Sequence, residues 1–545
     1  MILHESLRNK RPAVSEILTD NRISHTYQNV LNSRTFVLVL VSFLLCVLLF
    51  KGLDSPPIYI LDEARNAQCA KEMEENNTLL IPTFNGRLRT DKPPLHYFFM
   101  IAAYKMMGVS SFSARFFSAI FGLLTIGLVA LFANKYIGKQ TALLTTIILS
   151  CSSQFIFEFR LAVPDPYFIF FTVSSLLSGF IWMKDQKVSF LYLAAALIGF
   201  GVLAKGPVAI VLPALAFLVF ACYKKNWKNF FTWHLFTAFL CFLAVALPWY
   251  LLIHQATHGQ WTKSFFLQHN FDRFASPTDG HSGFFLLPLA ISIIGLLPFS
   301  TFIFETIKRR KTVFTNEAVV FSLIVFVVVV VFFSLSATQL PNYTMPAYPF
   351  IAIIIAHYIT KAVNQNFKMP AYPFYIMTAI FCILPAVVFF VLKSEAQTKD
   401  MIGIAGILLA PALLFIILLV KLKQMTTSYK VLSVATISFV FNTLMLFVVY
   451  PYVYKNNPVA KTLPLLKSAP RVIAYKHYNA GFNFYLDKPI KRFGTAEIDS
   501  IKMSLPGTVI ITTSALLNEL DSLRLKTIAW QHDIFERRET VILTK

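Results

Sequence analysis

Charged residues are scarce in this chain of 545 residues, where they make up 14% of the sequence against 56% for hydrophobic residues. Soluble domains carry about 25% charged residues, so the composition excludes an ordinary soluble fold. The mean hydropathy is +0.62. Apolar runs of about 20 residues recur along the chain, and each is long enough to cross a bilayer. The sequence therefore predicts a polytopic membrane protein.

Cysteine is also scarce, which bears on disulfides and on metal sites. The six cysteines are scattered, no CxxC pair occurs, and five of the six lie in or beside apolar runs. This pattern predicts neither a disulfide framework nor a thiolate metal site. No cleavable signal peptide, internal repeat or low-complexity segment is evident, so we expect the first span to act as an uncleaved anchor.

Acidic residues are outnumbered, with 27 Asp and Glu against 49 Lys and Arg, for a net charge of +22. Such an excess could suggest a nucleic-acid partner. However, many of the basic residues lie in short loops between apolar runs, where the positive-inside rule places them on the cytoplasmic side. We therefore expect membrane lipids, and no nucleic acid, as partners.

The basic loops also set the predicted topology. Residues 1–33 form a basic cytoplasmic segment, and residues 34–452 form the transmembrane domain with an outer loop at 54–111. The apolar run at 94–107 is too short to span and is predicted to be an interfacial helix, since counting it as a span would turn the later basic loops outward. About 13 spans follow, at 34–53, 112–134, 140–158, 166–183, 189–204, 207–222, 233–253, 284–305, 317–336, 346–360, 372–392, 401–420 and 431–451.

Residues 453–545 differ from the rest in composition. Short β-branched runs predict strands at 472–475, 508–513 and 541–544, and a helix is predicted at 514–520 with Ser514 as its N-cap. We expect a small C-terminal α/β domain on the outer face, so the predicted fold class is an all-α polytopic membrane protein with this added domain.

Unusual polar residues all reach the outer face in this topology. Two adjacent carboxylates at the end of a span are costly unless they are solvated, paired or used. Lysine and arginine hold phosphate through charge-assisted hydrogen bonds, and a carboxylate can take a proton from a hydroxyl or help to hold a divalent ion. The set comprises Asp62, Glu63, Asp91, Lys92, Arg160, Asp165, Lys205, His269, Arg273 and residues 339–343.

Each of these residues also has a purely structural explanation. Asp62 could pair with Arg65 one helical turn later. Lys205 could extend along the apolar surface to the interface, and Asp165 could cap the span that follows it. His269 could be an ordinary structural histidine. As a set, they favour a lipid-linked phosphate substrate, because the outer face has no nucleotide pool.

Several short motifs occur in a recognisable order. They are Asp62-Glu63, Lys-Pro-Pro-Leu-His-Tyr at 92–97, Arg115, the Arg160 and Asp165 pair, Ala-Lys-Gly-Pro at 204–207, Gln-His-Asn-Phe-Asp-Arg-Phe at 268–274 and Leu-Pro-Asn-Tyr at 340–343. As an ordered set spanning most of residues 34–350, they resemble the aminoarabinose-transferase-like branch of the GT-C glycosyltransferases, which is related to the protein O-mannosyltransferases.

The resemblance implies an enzyme of the bacterial inner membrane that moves a sugar from a polyprenyl phosphate at the periplasmic face, with inversion. It implies catalytic roles for Asp62 and Asp165, with Glu63 beside them. Residues at the carrier phosphate would be Lys92, Lys205, Arg273, Arg65 and Tyr343, and His269 would be a metal ligand, which leaves a divalent metal ion open as a cofactor. The family often has Glu where this chain has Asp91, which puts local metal or substrate contacts in doubt.

The acceptor and the sugar stay open at this point. The acceptor implied first is a lipid A-like or other cell-envelope lipid. A protein O-mannosyltransferase-like enzyme would share the fold but modify Ser or Thr. A flippase that only moves polyprenyl phosphate would also need cations in the membrane, but such transporters more often show broken helices in two matching halves.

Overall fold

The computed structural model describes residues 34–225, 227, 232–272, 283–365, 369–394, 398–486, 488–503, 507–534 and 538–545. Helices dominate residues 34–454. The helices of the membrane region are α1 Arg34–Phe50, α2 Leu61–Glu75, α3 Leu95–Met107, α4 Ser111–Tyr136, α5 Lys139–Cys151, α6 Ser153–Glu158, α7 Asp165–Asp185, α8 Val188–Lys205, α9 Val208–Lys224, α10 Trp233–Ala256, α11 Gln260–Lys263, α12 Leu287–Gly295, α13 Ile303–Lys308, α14 Arg310–Val313, α15 Glu317–Ser334, α16 Tyr348–Asn364, α17 Tyr372–Ser394, α18 Ile404–Ile407, α19 Leu409–Lys421, α20 Thr427–Leu444 and α21 Tyr450–Tyr454.

Shorter helical turns complete this region. A π-helix at Ser264–Phe271 follows α11, and another at Met445–Val449 joins α20 to α21. Single 3₁₀ turns lie at Phe299–Phe302, Met345–Ala347, Lys399–Met401 and Leu422–Gln424. In the outer loop, β1 Thr83–Phe84 and β2 Arg87–Leu88 form a two-stranded antiparallel hairpin.

Most of the predicted spans are confirmed. Within the described ranges, nine helices are long and apolar enough to cross a membrane. Two further predicted spans coincide with helices of 17 residues, α1 and α9. The predicted span at 140–158 is interrupted, because α5 ends at Cys151 and Ser152 starts α6 by accepting a hydrogen bond from Phe155 N at 3.2 Å.

One predicted span has a different shape. The segment predicted as one span at 284–305 consists of α12 and a second helical piece at Phe299–Lys308, and the chain bends by 113° between them. Pro298 lies at the break. Proline lacks an N–H and clashes with the preceding turn, so it ends or kinks a helix.

The short apolar run at 94–107 is the helix α3, which has 13 residues and ends at Gly108 with φ 78°. Its inner face packs against α2 and α4 in a cluster that includes Ala64, Tyr97, Met100 and Ala114. The same cluster includes Phe484 of the C-terminal region. The outer loop is therefore held between the membrane helices and the C-terminal domain.

The C-terminal region forms a small α/β domain, as predicted. Its elements are α22 Pro458–Ser468, β3 Arg471–Tyr475, α23 Gly481–Tyr485, β4 Lys491–Phe493, α24 Ile498–Met503, β5 Thr508–Thr513, β6 Lys526–His532 and β7 Glu539–Thr544. The strand order is β4-β3-β5-β7-β6. Strand β3 pairs in parallel with β4 and β5, whereas β7 pairs antiparallel with β5 and β6.

Parts of this domain were not predicted or were predicted wrongly. Strands β4 and β6 have no counterpart among the predictions, because both expose much of their length and lack a continuous apolar run. The helix predicted at 514–520 is present as a 3₁₀ helix at Ser514–Leu523, but its N-cap is Thr513 rather than Ser514. The hydrogen bonds that tie the domain to the outer loop include those from Ile58 N to Tyr485 Oη at 2.6 Å and from Asn85 Nδ2 to Ile490 O at 2.6 Å.

Candidate active site

A cavity of about 460 Å³ lies where α2, α7, α8, α9 and the π-helix at 264–271 come together. Its polar lining includes Asp62, Asp91, Lys92, Asp165, Lys205, His269 and Tyr343. The sequence analysis assigns site roles to six of these residues and groups Asp91 with them. We call this space the donor cavity.

Asp62 lies at the exposed end of the donor cavity. It sits in the first turn of α2, where the partial positive charge of a helix N-terminus favours a carboxylate. Its side chain is 54% exposed, and its Oδ2 lies 3.9 Å from the Nζ of Lys92. This long, exposed ion pair leaves the carboxylate accessible to a substrate.

Asp165 and Lys205 form a second ion pair, which is buried deeper. Lys205 Nζ donates a hydrogen bond to Asp165 Oδ1. Asp165 opens α7 and Lys205 closes α8, so each charge has the sign that its helix end favours. Helices α7 and α8 are adjacent in sequence and pack along their length, which brings the two ends together.

Two aromatic rings surround the ammonium group of Lys205. Its Nζ lies 4.8 Å from the ring centroid of Tyr343 and 5.2 Å from that of Phe168. Cation–π contacts of this kind strengthen when the site is desolvated. The lysine is thus held by a carboxylate and two rings, with its ammonium group at the wall of the cavity.

Gly206 fixes the turn that follows Lys205. Its φ of +88° is a conformation that side-chain-bearing residues rarely adopt. A Cβ at this position would lie 2.7 Å from the ring of Phe265 on the π-helix. The glycine therefore allows the end of α8 to approach the π-helix that carries His269.

Asp91 lines the donor cavity, but its carboxylate forms an ion pair with Arg89. Arg89 Nε donates to Asp91 Oδ1 at 2.6 Å, and Arg89 Nη2 donates to Oδ2 at 2.9 Å. Burial alone would raise the pKa of Asp91, but the Arg89 guanidinium holds that pKa well below its ordinary range. Asp91 is therefore a permanent carboxylate that fixes the turn before Lys92. Sequence reasoning missed Arg89, because nothing local distinguishes it from the nearby Arg87.

His269 lines the cavity beside this turn. Its Nε2 lies 3.4 Å from Thr90 Oγ1, and Thr90 Oγ1 lies 2.8 Å from Ser264 Oγ. These contacts join the π-helix to the segment that carries Asp91 and Lys92.

The predicted divalent metal ion can be compared with the side chains that the structure describes. Among them, no group of three or more His, Cys, Asp or Glu side chains is placed to hold a metal ion. Of the carboxylates at the cavity, Asp91 is committed to Arg89 and Asp165 to Lys205. We therefore derive no catalytic step through a metal, and the predicted metal role of His269 stays a prediction without support from these neighbours.

Glu63 does not face the donor cavity, although it adjoins Asp62 in sequence. Its side chain is fully buried, and Arg115 donates to both of its oxygens, from Nε to Oε1 at 2.6 Å and from Nη2 to Oε2 at 2.7 Å. The backbone N of Ala162 also donates to Oε1, at 2.9 Å. Placing Glu63 among the catalytic residues is not supported by this position, which makes it a structural ion-pair partner.

Arg65 was predicted at the carrier phosphate, but its side chain lines a separate pocket on the outer side of α2. Arg160, another member of the outer set, is also structural. Its guanidinium donates to four backbone carbonyls near the end of α1, including Leu49 O at 3.2 Å and Lys51 O at 2.9 Å. Arg273 lies outside the described residues.

The remainder of the donor cavity is mostly apolar, a feature that sequence reasoning did not anticipate. Its lining includes Val208, Val211, Phe265, Phe332, Phe333 and Leu340. These residues come from α9, the π-helix, α15 and the segment that follows α15. In sequence they look like any other membrane-facing side chains. The cavity thus combines cations and carboxylates at one end with an aromatic and aliphatic wall. Such an arrangement suits a ligand with an anionic head and an apolar chain.

The sequence matches one family model over residues 91–250, described as dolichyl-phosphate-mannose-protein mannosyltransferase. A relative in Aquifex aeolicus (strain VF5), described as an uncharacterized protein, is 30% identical over 330 residues, which cover 60% of this chain and 64% of the relative. The undecaprenyl phosphate-alpha-4-amino-4-deoxy-L-arabinose arabinosyl transferase of Pseudomonas aeruginosa (strain UCBPP-PA14) is 26% identical over 332 residues, 59% of each chain. The matched part thus spans less than two-thirds of either relative.

Among solved structures, the fold is similar to that of ArnT from Cupriavidus metallidurans bound to undecaprenyl phosphate. The TM-score is 0.80 at 20% sequence identity, and the match covers 94% of this chain and 98% of the other. The apo state of the same ArnT gives a TM-score of 0.77 at 18% identity. Since the match extends over nearly all of both chains, it includes the C-terminal region as well as the membrane helices.

Proposed function

We propose that this chain, which shares the GT-C fold of ArnT and resembles the aminoarabinose-transferase-like glycosyltransferases, is a membrane glycosyltransferase that uses a polyprenyl-phosphate sugar donor. The observation that carries the proposal is the donor cavity, where two lysine–carboxylate pairs face an apolar wall. A polyprenyl phosphate has matching parts, a phosphate and a long apolar chain. The ArnT structure that shares this fold holds undecaprenyl phosphate, which supports the same class of carrier here.

The proposed donor lies with its phosphate between Lys92 and Lys205 and its polyprenyl chain along the apolar wall. Lysine ammonium groups bind phosphate through charge-assisted hydrogen bonds. Asp165 holds Lys205 in place, and the ring of Tyr343 borders the same ammonium group. In this arrangement the sugar points toward Asp62, at the exposed end of the cavity.

The proposed reaction is a single displacement at the anomeric carbon. An acceptor oxygen forms a bond to that carbon while the bond between the carbon and the phosphate oxygen breaks, which inverts the configuration. The leaving polyprenyl phosphate gains negative charge, and Lys92 and Lys205 stabilise it. Asp62 takes the proton of a hydroxyl acceptor. If the acceptor is a phosphate, as on lipid A, no base is needed and Asp62 orients the acceptor.

We propose that the acceptor is a lipid A-like cell-envelope lipid and that the donor cavity opens to the periplasm of a bacterial inner membrane. The relatives named as arabinosyl transferases support the reaction class. The basic loops of the predicted topology support the orientation.

The deciding experiment supplies the purified full chain with a labelled polyprenyl-phosphate sugar and extracted membrane lipids. Label should appear in a lipid fraction, and Asp62→Asn should abolish most of the transfer while polyprenyl-phosphate binding is retained. Asp54→Asn is the matched control, because Asp54 is also an exposed outer-loop carboxylate but does not line the donor cavity.

Other outcomes would identify the competing functions. Label in a protein fraction would favour the O-mannosyltransferase-like alternative. Movement of the unaltered donor across a proteoliposome membrane, with no transfer to any fraction, would favour a flippase. Transporters often contain broken membrane helices, and α12 with Phe299–Lys308 is such a bent pair, so the proteoliposome experiment is needed.

A further inference from the structure

A second pocket lies on the outer side of α2, between the β1–β2 hairpin and the C-terminal sheet. Its volume is about 140 Å³. Its basic side chains are Arg65, Arg87, Lys476, His477, Arg492 and Arg538. We call this space the basic pocket. Five separate stretches of the outer loop and the C-terminal domain converge to form it, so it exists only in the folded chain.

The positive charge of the basic pocket is largely uncompensated. No Asp or Glu belongs to its lining. Lys476 pairs with Glu519, with 2.6 Å between Nζ and Oε2. Within the described part of the chain, Arg65, Arg87, Arg492 and Arg538 make no ion pair with a carboxylate. Four guanidinium groups therefore face the same small space without a bound counter-charge from these residues.

The pKa of His477 is lowered, which is the direction expected beside several cations. Burial lowers the pKa of His477, and the charges of Arg538, Arg492 and Lys476 lower it further. A cation is therefore disfavoured at this position, and an anion is favoured. Arginine also binds phosphate through two parallel hydrogen bonds, which gives such a site a preference for phosphate geometry.

The basic pocket is close to the donor cavity, because both use the first turn of α2. Leu61 and Arg65 line the basic pocket, whereas Asp62 between them lines the donor cavity. Asp62 and Arg65 are three residues apart, about 4.5 Å along the helix axis. One ligand could thus present an anionic group to the basic pocket and a second group to Asp62.

We propose that the basic pocket is a second anion-binding site, which holds a phosphate of the acceptor that takes no part in the transfer. This inference rests on the proposed function. The reacting group of the glycolipid lies at Asp62 beside the donor, while a phosphate that does not react is held by the arginines. The C-terminal domain then acts in acceptor recognition, because it supplies Arg492 and Arg538.

The test compares bis-phosphorylated lipid A with monophosphoryl lipid A that lacks the non-reacting phosphate. The full-length wild type should use the bis-phosphorylated lipid with the lower KM. In the double variant Arg492→Gln/Arg538→Gln, the KM for that lipid should rise about ten-fold or more, since hydrogen bonds to charged groups are lost. The KM for the monophosphoryl lipid, the kcat and the donor KM should stay at wild-type values.

Arg471→Gln is the matched control, because Arg471 is an exposed arginine of the same sheet that does not line the basic pocket. It should leave both acceptor KM values unchanged. Arg87→Gln provides a second variant in the outer loop, so the result does not depend on the folding of the C-terminal domain. An unchanged lipid preference in both pocket variants, with both proteins folded, would overturn the inference.

A donor-free binding measurement separates this inference from the proposed function. If the wild type transfers no sugar at all, the proposed function fails, but the two lipids in detergent micelles can still be titrated onto the protein. Tighter binding of the bis-phosphorylated lipid, lost in the double variant, would support the pocket. Competition by inorganic pyrophosphate with no difference between the two lipids would show a free-phosphate site only and would overturn the glycolipid assignment.

Discussion

The neighbours Asp62 and Glu63 allow a sharp test, because the same chemical change should lower transfer activity at one position and stability at the other. Each can be changed from carboxylate to amide with almost no change in shape. Glu63 is fully buried and bound by both arms of Arg115, whose own side chain is 2% exposed. Asp62 is 54% exposed, and Lys92 lies 3.9 Å away.

Glu63→Gln should mainly destabilise the protein. It leaves the guanidinium of Arg115 buried without its counter-charge, and breaking a buried ion pair in this way costs about 3–5 kcal/mol. The neutral amide oxygen of the variant also accepts a weaker hydrogen bond from Ala162 N than the carboxylate does. By contrast, the exposed pair of Asp62 and Lys92 is worth about 0–1 kcal/mol, so Asp62→Asn should hardly change stability. Its transfer rate should fall by about 10²–10⁴-fold if Asp62 is the general base.

The assay measures apparent melting temperature by heating the detergent-solubilised protein and following the remaining monodisperse fraction. Transfer activity is then normalised to the folded fraction. Glu63→Gln should melt well below the wild type while its folded fraction keeps activity within a few-fold. Asp62→Asn should melt with the wild type and show little transfer. A Glu63→Gln protein of wild-type stability that has lost transfer a hundred-fold would refute the structural role argued for Glu63.

The ion pair itself can be isolated with a double variant. Arg115→Gln removes the buried charge, but it also removes the bonds from Nη1 to Leu53 O and Pro56 O, both 2.7 Å. Glu63→Gln/Arg115→Gln should therefore remain less stable than the wild type. It should still be more stable than the sum of the two single changes predicts, because the unpaired charge is gone. Strict additivity would show that the two side chains are not coupled.

Further predictions concern the deeper pair, the turn beside it and the topology. Lys205→Met should weaken donor binding and leave Asp165 as an unpaired buried carboxylate. Lys205→Arg should keep part of the binding, and titration of polyprenyl phosphate onto each variant measures both effects. Gly206→Ala should lower both the melting temperature and the activity, because a side chain is strained at a φ of +88° and the π-helix leaves no room for a Cβ. Wild-type values of both quantities in this variant would contradict the prediction. A reporter active only outside the cytoplasm should be active when fused after Lys545 and silent after Arg309, and the reverse result would refute the predicted orientation.

Much of the membrane architecture could be predicted from the sequence, because the signals involved are local. A run of about 20 apolar residues is long enough to cross the bilayer wherever it occurs. The run at 94–107 is shorter, so α3 was predicted to be an interfacial helix rather than a span. The bend between α12 and Phe299–Lys308 was missed even though Pro298 is visible, since a proline either kinks a span or breaks it according to what packs around it.

The site was predictable as a set of residues but not as an arrangement. Asp62, Lys92, Asp165 and Lys205 do meet at one cavity, because helix ends and span boundaries bring them to one level. Consecutive residues of an α-helix point about 100° apart, so at most one of Asp62 and Glu63 can face that cavity. The position of Arg115, 52 residues further along, decided which one is buried in an ion pair.

Hydropathy by itself determined that the protein is a polytopic membrane protein, and motif order singled out Asp62, Lys92, Asp165 and Lys205, which meet at one cavity. The tertiary structure alone decided how those residues divide: Asp62 to the donor cavity, Glu63 to a buried ion pair, and Arg65 to the basic pocket. The physical reason is that a charge near a membrane surface must be solvated or paired, and its partner is chosen by packing between segments that lie far apart in the chain.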